Sequence, residues 1–559
     1  MKRSSLPALV SVILLAACKS HPGVGATTST GTGAGGGSSS GVGGGAASTA
    51  SSGAGTTSSG TGGSGTGSGG GPTGSGCVVP APTATGPTAS GASVAVTVDV
   101  STVTCAIAPD FAGTNFEAFP MWGADVSFGA FQQQAFQAAG VQQFRYPGGE
   151  PGEWSDLLMT GKCKDSSDAN WGSPAYTALW AFAKSAGVHS LMLQTNPTPQ
   201  YCGTGSQDAS GVHAAALASD VAAHGVTAVY EIGNEPDLGN SYFGMNGGQA
   251  AYLDKFVEQA NAIHGVNPAA EVYGPVVCGL GGNCSFPVTW DSGWIDAFLA
   301  RTGDMATGPG KGSAGGVSFH VYLHPEWGYS DLAEAKIDKY GFASYWAQTV
   351  MPHLRTVIAK RDTRDLPIAV SEMSLGNGIP KDAAQTQNMF TVLESVDVIA
   401  SFASSGLRSF QWFDANAAGP SDYWMITTAQ TRPMFYAFLA WSKMGPQVIG
   451  TSSDASPHDV AAYATRKGDG SVQVLLINKT DSSHPVSLSF KGSSPAGKPL
   501  AIDELQPATA GSDLSTSIRY NGAADPLPGA LPAAATSTAT AAPTYTIAPY
   551  SLAVLRFGP

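Results

Sequence analysis

From about residue 110 to residue 440, short apolar runs alternate with longer segments whose apolar positions recur at i, i+3 and i+4. The short runs are Phe111–Glu117, Gln143–Pro147, Ser190–Thr195, Ala228–Ile232, Glu271–Val276, Gly316–Val321, Pro367–Ser371 and Ser409–Phe413. Ala250–Ile263 and Asp382–Ser404 show the helical period between them. Eight strands with intervening helices predict an α/β fold, a (β/α)8 or TIM barrel over residues 110–440. A doubly wound parallel sheet is the structural alternative, but no Gly-x-Gly-x-x-Gly follows the first strand.

After Trp441 the period changes to two. Val472–Asn478, Pro485–Phe490 and Tyr550–Arg556 alternate, with turn residues between them, which predicts an all-β sandwich domain over 441–559. Val94–Asp99 has the same pattern, so the segment 77–109 is expected to lend that sandwich a strand from ahead of the barrel. No fixed-period repeat is visible beyond the βα alternation.

Composition matters most at the N-terminus. Gly, Ser, Thr and Ala fill 51 of the 56 positions 21–76, and no Lys, Arg, Asp or Glu occurs among them. Such a stretch cannot bury enough apolar surface to offset its ordering entropy. Residues 18–76 are therefore read as a flexible tether with a coil dimension of roughly 40 Å. Ahead of it, Lys2 and Arg3, the apolar stretch Leu6–Leu15 and the small residues Ala16 and Ala17 form a signal peptide over 1–17. Cys18 directly after Leu-Ala-Ala resembles the lipobox of bacterial lipoproteins. That resemblance implies cleavage before Cys18, lipidation of its thiol, and anchoring to the cell envelope at the outer membrane or cell surface. An ordinary secretory signal is the alternative.

Twenty-seven Lys and Arg against 40 Asp and Glu give a net charge of −13, which argues against nucleic acid as a partner. No apolar run of 18 residues follows the N-terminus, so contact with a membrane is expected through the lipid only, and the protein is expected to be a monomer. Setting Cys18 aside leaves Cys77, Cys105, Cys163, Cys202, Cys278 and Cys284, an even number that suggests disulfides in an exported protein. Order along the chain favours 77–105, 163–202 and 278–284, one of 15 pairings. No Cys-x2-Cys spacing points to a metal.

Polar residues cluster where the strands end, the place where barrel active sites lie. Tyr230–Pro236 ends the fourth strand and carries Asn234 and Glu235; Ala369–Met373 ends the seventh and carries Glu372. Two carboxylates on facing strands suit retaining glycoside hydrolysis, which wants them about 5–5.5 Å apart. Arg145, Asn196, His320, Tyr322, Gln411, Trp412 and Glu117 also fall at strand ends. Glu231 alternates in phase with Glu235 but lies deeper and reads as structural. His320, His324 and Glu326 could surround a cation, but no third ligand type is evident, and neither a metal nor another cofactor is expected.

With these residues in place the chain resembles the retaining glycosidases of clan A, whose strand-four signature is Gly-Asn-Glu-Pro. The resemblance implies that Glu235 is the acid/base, Glu372 the nucleophile, and Asn234 a ligand of the sugar's 2-hydroxyl. His320 and Tyr322 match the clan's His-x-Tyr, whose tyrosine holds the nucleophile. Arg145 would keep the nucleophile ionised, and Trp412 would offer an aromatic face to a sugar. Glu117, Asn196 and Gln411 are further candidate ligand contacts.

Within the clan, the chain is similar to glycoside hydrolase family 79, the heparanase and β-glucuronidase group. The likeness rests on Tyr230–Asp237, on Val272–Pro275, on Gly113–Glu117, and on the closing motifs Arg519–Gly522, Pro526–Pro528 and Ala548–Ser551. There are two departures. Asn377 stands where that family has a tyrosine for the glucuronate carboxylate. Arg145-Tyr-Pro-Gly-Gly149 instead looks like the second strand of family 51 α-L-arabinofuranosidases. The expected function is thus a retaining β-glycosidase of β-glucuronidase type acting on a carbohydrate. An arabinofuranosidase, a glucanase or a xylosidase is the alternative, and a non-catalytic carbohydrate-binding lipoprotein is the alternative of another class.

Overall fold

The computed structural model describes residues 76, 77, 79, 84 and 86–559, apart from 117–127, 150–174, 200–207, 239–240, 279–292, 323–340, 375–386, 418–423 and 428. The expected signal peptide, Cys18 and most of the tether lie outside the described residues, as do Glu117, Cys163, Cys202, Cys284, His324, Glu326 and Asn377.

A leading strand, β1 (Val94–Ala106), is followed by eight parallel strands that close on themselves in sequence order. They are β2 (Ala112–Asn115), β3 (Gln143–Tyr146), β4 (Ser190–Thr195), β5 (Ala228–Ile232), β6 (Val272–Val277), β7 (Gly316–Tyr322), β8 (Ile368–Ser374) and β9 (Ser409–Trp412). All eight apolar runs of the sequence are here, because a barrel strand is buried on both faces and reads as nearly continuous hydrophobicity. Outward residues such as Phe144, Val317, Phe319, Val370 and Phe410 join the layer of helices. Inward residues Met192, Val229, Tyr273 and Ala369 form a separate apolar plug.

Alternation holds along the strands except at two places. Between β6 and β7 the register skips Val276, and between β7 and β8 it skips Ser371. Such bulges re-aim the side chains beyond them. Ala369 faces inward and Val370 outward, so unbroken alternation would turn Glu372 outward; the extra residue Ser371 brings Glu372 level with His320 instead.

Two two-residue strands, β10 (Asn416–Ala417) and β11 (Ile426–Thr427), pair beyond the barrel. The chain then builds β12 (Gln447–Ser453), β13 (Val460–Arg466), β14 (Val472–Asn478), β15 (His484–Lys491), β16 (Pro499–Pro507), β17 (Ile518–Tyr520), β18 (Ala523–Ala524), β19 (Ala535–Thr538), β20 (Thr544–Ile547) and β21 (Ser551–Phe557). β1 is an interior strand of this sheet, antiparallel to β12 and parallel to β15. The sheet wraps around its own apolar core, fed by Val94, Val96, Val98, Val474, Leu476, Val486 and Leu555. In β14 and β21 the alternate residues Leu475, Ile477, Leu552 and Val554 face the barrel's core instead. These strands are therefore apolar on both faces and weld the two domains.

Between them lies the helix Met389–Ser404, all of whose residues are buried. Its Asp397 accepts hydrogen bonds from Tyr463 Oη at 2.7 Å and from Lys479 Nζ at 2.6 Å, both on the sheet side. Asn388 caps it by accepting from the Thr391 amide at 3.1 Å. The disulfide Cys77–Cys105 ties the chain ahead of β1 to the C-terminal end of that strand. Cys278 is also disulfide-bonded, to a partner outside the described residues. Among the described residues no helix is long and apolar enough to cross a membrane.

Candidate active site

At the C-terminal end of the barrel, β5 gives way to the turn Gly233–Pro236. Gly233 has φ 86°, and a Cβ there would stand 3.1 Å from Pro197 and 3.3 Å from Tyr252, so glycine alone suits the position. Tyr252 in turn donates to the Ile232 carbonyl at 2.8 Å and holds the strand end. Glu235 follows with φ 43°, and its amide donates at 2.9 Å to the carbonyl of Val276, which has φ 58°. A left-handed conformation at a non-glycine residue costs of order 1–3 kcal/mol and persists where the surroundings impose it. Here the bulged residue of β6 supplies the acceptor that fixes the Glu235 backbone.

Arg145, on β3, is fully buried and organises the centre. Its Nε donates to Glu231 at 2.5 Å, its Nη1 to Glu372 Oε1 at 2.6 Å and to Asn115 Oδ1 at 2.9 Å, and its Nη2 to Asn234 Oδ1 at 2.9 Å. Tyr322 on β7 donates to the other Glu372 oxygen at 2.6 Å. His320 Nδ1 lies 2.7 Å from Glu235 Oε1 and 3.4 Å from Glu372 Oε2. One oxygen of Glu235, one of Glu372 and one nitrogen of His320 all fall within 4.8 Å of one another.

The two carboxylates differ in setting. Glu372 is 4% exposed in its side chain and Glu235 is 15% exposed. Burial pushes the Glu372 carboxyl up, but the charges of His320 and Arg145 and the Tyr322 hydroxyl outweigh it and hold Glu372 below the usual glutamate range. Burial likewise disfavours the charged His320 ring, and Glu372 and Glu235 together override that and raise it. The trio could surround a cation by distance alone. The Arg145 guanidinium already pairs with Glu372, and a metal ion would sit against that positive charge.

Gln411 and Trp412 need correction as ligand contacts. Gln411 points into the barrel but below the cleft, fully buried, donating to Gln143 at 2.5 Å and filling the space beside Gly113. Trp412, its neighbour, points the other way into the helix-side core and is 2% exposed. The ring that faces the site belongs to Phe413, half-buried and 6.5 Å from the ring of Tyr322. Asn196 closes an Asx turn after β4 by accepting from the Thr198 amide at 2.8 Å, and its buried Nδ2 has no partner among the described residues. Gln194 on the same strand donates weakly to Asn234 Oδ1 at 3.4 Å. Asn115, Gln194 and Phe413 were not singled out by the sequence. Period-two counting from Gly113, Met192 and Gln411 would have pointed to them.

No family model and no curated protein matches the chain by sequence. Solved structures do match its fold. CelM2, a bifunctional glucanase-xylanase from a metagenome library, superposes with a TM-score of 0.60 at 13% identity, covering 83% of this chain and 99% of that one. The α-L-arabinofuranosidase of Thermotoga maritima gives 0.60 at 14%, covering 84% and 100%. A glycoside hydrolase family 44 xyloglucanase of Paenibacillus polymyxa gives 0.58 at 14%, covering 84% and 100%. At that identity the likeness establishes a (β/α)8 barrel with an appended β domain, the architecture of these glycoside hydrolases.

Proposed function

We propose that this protein is a retaining glycoside hydrolase with Glu235 as acid/base and Glu372 as nucleophile. The observation that carries the reading is the closeness of the two carboxylates, one buried against Arg145 and Tyr322 and the other more open and held by His320. An ionised Glu372, held by Arg145 and Tyr322, attacks the anomeric carbon and forms a glycosyl-enzyme. Glu235, more open and oriented by His320, protonates the departing oxygen and then takes a proton from the incoming water. One oxygen of each carboxylate lies within 4.8 Å of the other, and so small a gap leaves no room for a water between carboxylate and sugar, which favours double displacement over inversion. Asn234 would bond the 2-hydroxyl, and Phe413 would flank the sugar. The match to solved glycoside hydrolases supports the reading from the fold side.

For the sugar, a β-glucuronide or related β-glycoside follows from the likeness of Tyr230–Asp237 to family 79. Asn377 in place of tyrosine weakens the hold on the carboxylate, with a cost in preference of roughly 1.5–3 kcal/mol. An α-L-arabinofuranoside is the second reading, favoured by Arg145–Gly149 and by the arabinofuranosidase superposition. A panel of aryl glycosides differing only in the sugar decides between them; a rate on arabinofuranoside alone ends the glucuronide reading. Glu372→Ala should abolish turnover, with azide restoring some activity and an inverted product. Glu235→Ala should retain activity on activated aryl leaving groups. Near wild-type rates for both on a natural glycoside would overturn the assignment.

The lipid anchor at Cys18 is part of the same proposal, resting on the sequence alone. Cys18→Ala should leave the membrane fraction, whereas equal partitioning of mutant and wild type would refute anchoring.

A further inference from the structure

The Arg145 guanidinium bridges Glu372 to another carboxylate, Glu231 on β5, which takes no part in the chemistry above. Arg145 Nε donates to Glu231 Oε2 at 2.5 Å, while Nη1 donates to Glu372 Oε1 at 2.6 Å. One positive charge is therefore shared between two carboxylates. Among the described residues Arg145 is the only ion-pair partner of Glu231. The neighbours of Glu231 in register, Gln194 on β4 and Tyr273 on β6, bring no cation. Glu231 is fully buried, and its Oε1 has no hydrogen-bond partner among the described residues. A neutral amide oxygen would satisfy Arg145 Nε without the cost of burying a charge with one oxygen unpaired. Hydrogen bonding alone thus does not account for a carboxylate at this position.

We propose that Glu231 is a positioning residue for the nucleophile: it fixes the Arg145 guanidinium from a second edge and offsets part of its charge, so that Glu372 stays reactive as well as ionised. The inference rests on the reading of Glu372 as nucleophile. Arg145 on β3 holds the negative charge of Glu372, as do Tyr322 at 2.6 Å and His320 at 3.4 Å on β7. Each of them favours the free carboxylate over the ester of the glycosyl-enzyme, in which that charge has gone. The tighter the hold, the slower the attack on the anomeric carbon and the faster the carboxylate departs in the second step. The negative charge of Glu231 beside the same guanidinium loosens the hold. Glu231 thereby favours formation of the glycosyl-enzyme at the expense of its breakdown. The other acceptors on Arg145, Asn115 and Asn234, are neutral amides, which orient the guanidinium without altering its charge.

The test times the two steps separately in the full chain. The probes are 2,4-dinitrophenyl 2-deoxy-2-fluoro glycosides of whichever sugar the panel selects: glucuronate, glucose, xylose or arabinofuranose. Glu372 displaces dinitrophenolate, whose release times formation of the glycosyl-enzyme; water then displaces Glu372, and the return of activity times its breakdown. Glu231→Gln keeps an acceptor for Arg145 Nε and removes the charge. One neighbouring charge changes the basicity of a carboxylate by about one pH unit, and about half of such a change reaches the rate of a nucleophile, as with attacking thiols. Labelling should therefore slow about threefold and reactivation quicken about threefold. Glu231→Ser also removes the charge and should move the two rates in the same opposite directions. Glu231→Asp keeps the charge and should leave the ratio of the two rates within about twofold of wild type, even where both fall. An unchanged ratio in whichever neutral variant folds overturns the proposal, because a merely structural carboxylate would not drive the two steps apart. Mapping the label to a residue other than Glu372 defeats the nucleophile assignment itself, whatever Glu231 does.

Discussion

The two ends of the barrel use the same chemical groups to opposite effect. At the N-terminal end Arg408, just before β9, pairs with both oxygens of Asp110, ahead of β2, and approaches Glu271, ahead of β6, at 3.8 Å. Tyr273 donates to Glu271 at 2.7 Å, and Gln143 and Ser190 donate to Asp110 at 3.3 and 3.2 Å. None of these side chains has a buried polar atom without a partner. At the other end Arg145 also sits among carboxylates, yet buried atoms of Gln194, Asn196, Glu231, Asp237 and His320 lack partners among the described residues. A native protein rarely leaves such atoms unpaired without a reason. The lower residues pair among themselves, whereas those around Arg145 keep buried polar atoms without partners among the described residues.

The strongest way to break this contrast is Arg145→Met. It strands Glu231 and Glu372 as buried charges, so it should cost about 3–5 kcal/mol of stability. It should also lower kcat by at least ~10³-fold, since both catalytic positioning and the charge of Glu372 depend on it. Denaturant unfolding and turnover together check this, and a stable, active variant would remove Arg145 from the centre.

Next comes the exchange of roles on β9. Trp412→Ala should cost about 3–5 kcal/mol through a core cavity while changing KM little at temperatures where the variant is folded. Phe413→Ala should do the reverse, raising KM about tenfold with stability within about 1 kcal/mol of wild type. The opposite pattern would return the aromatic platform to Trp412.

Arg408→Met at the lower end should cost about 1–2 kcal/mol, reduced by the partial exposure of the pair. Its kcat/KM should stay within about twofold of wild type. A tenfold loss of activity without unfolding would mean that the lower network reaches the site.

The smallest effect is a slope. Glu372 has its folded value depressed below the unfolded glutamate range. Its contribution to stability is therefore present above about pH 4.3 and is lost as the pH falls through the folded value. Between pH 6 and pH 3, melting temperature should fall less steeply in Glu372→Gln than in wild type. Parallel curves would mean that Glu372 is not held ionised by its neighbours.

Much of this protein can be read directly from its residues. A strand buried on both faces must be apolar throughout, so the eight runs stand out between helices of period 3.6. The carboxylates of Gly233–Pro236 and of Ser371–Met373 are visible because polar residues at the ends of such strands have few structural uses. The β1 strand was also legible, since its alternation matches the later sheet and not the barrel. What could not be read was direction. Gln411 and Trp412 are adjacent and cannot both face the cleft; counting along one strand gives a phase but not its origin, which is set by Gln143 and Gly113 across the barrel.

The sequence by itself determined the fold class and the order of the strands, because these follow from periodicity, and it singled out the two glutamates as polar residues at strand ends. Tertiary structure alone decided where those glutamates point. The extra residue at Ser371 exists only relative to the register of β7, and it turns Glu372 inward beside His320. The extra residue at Val276 exists only relative to the same strand, and its carbonyl fixes Glu235. A bulge is a mismatch between two neighbouring strands, so no single strand's sequence contains it.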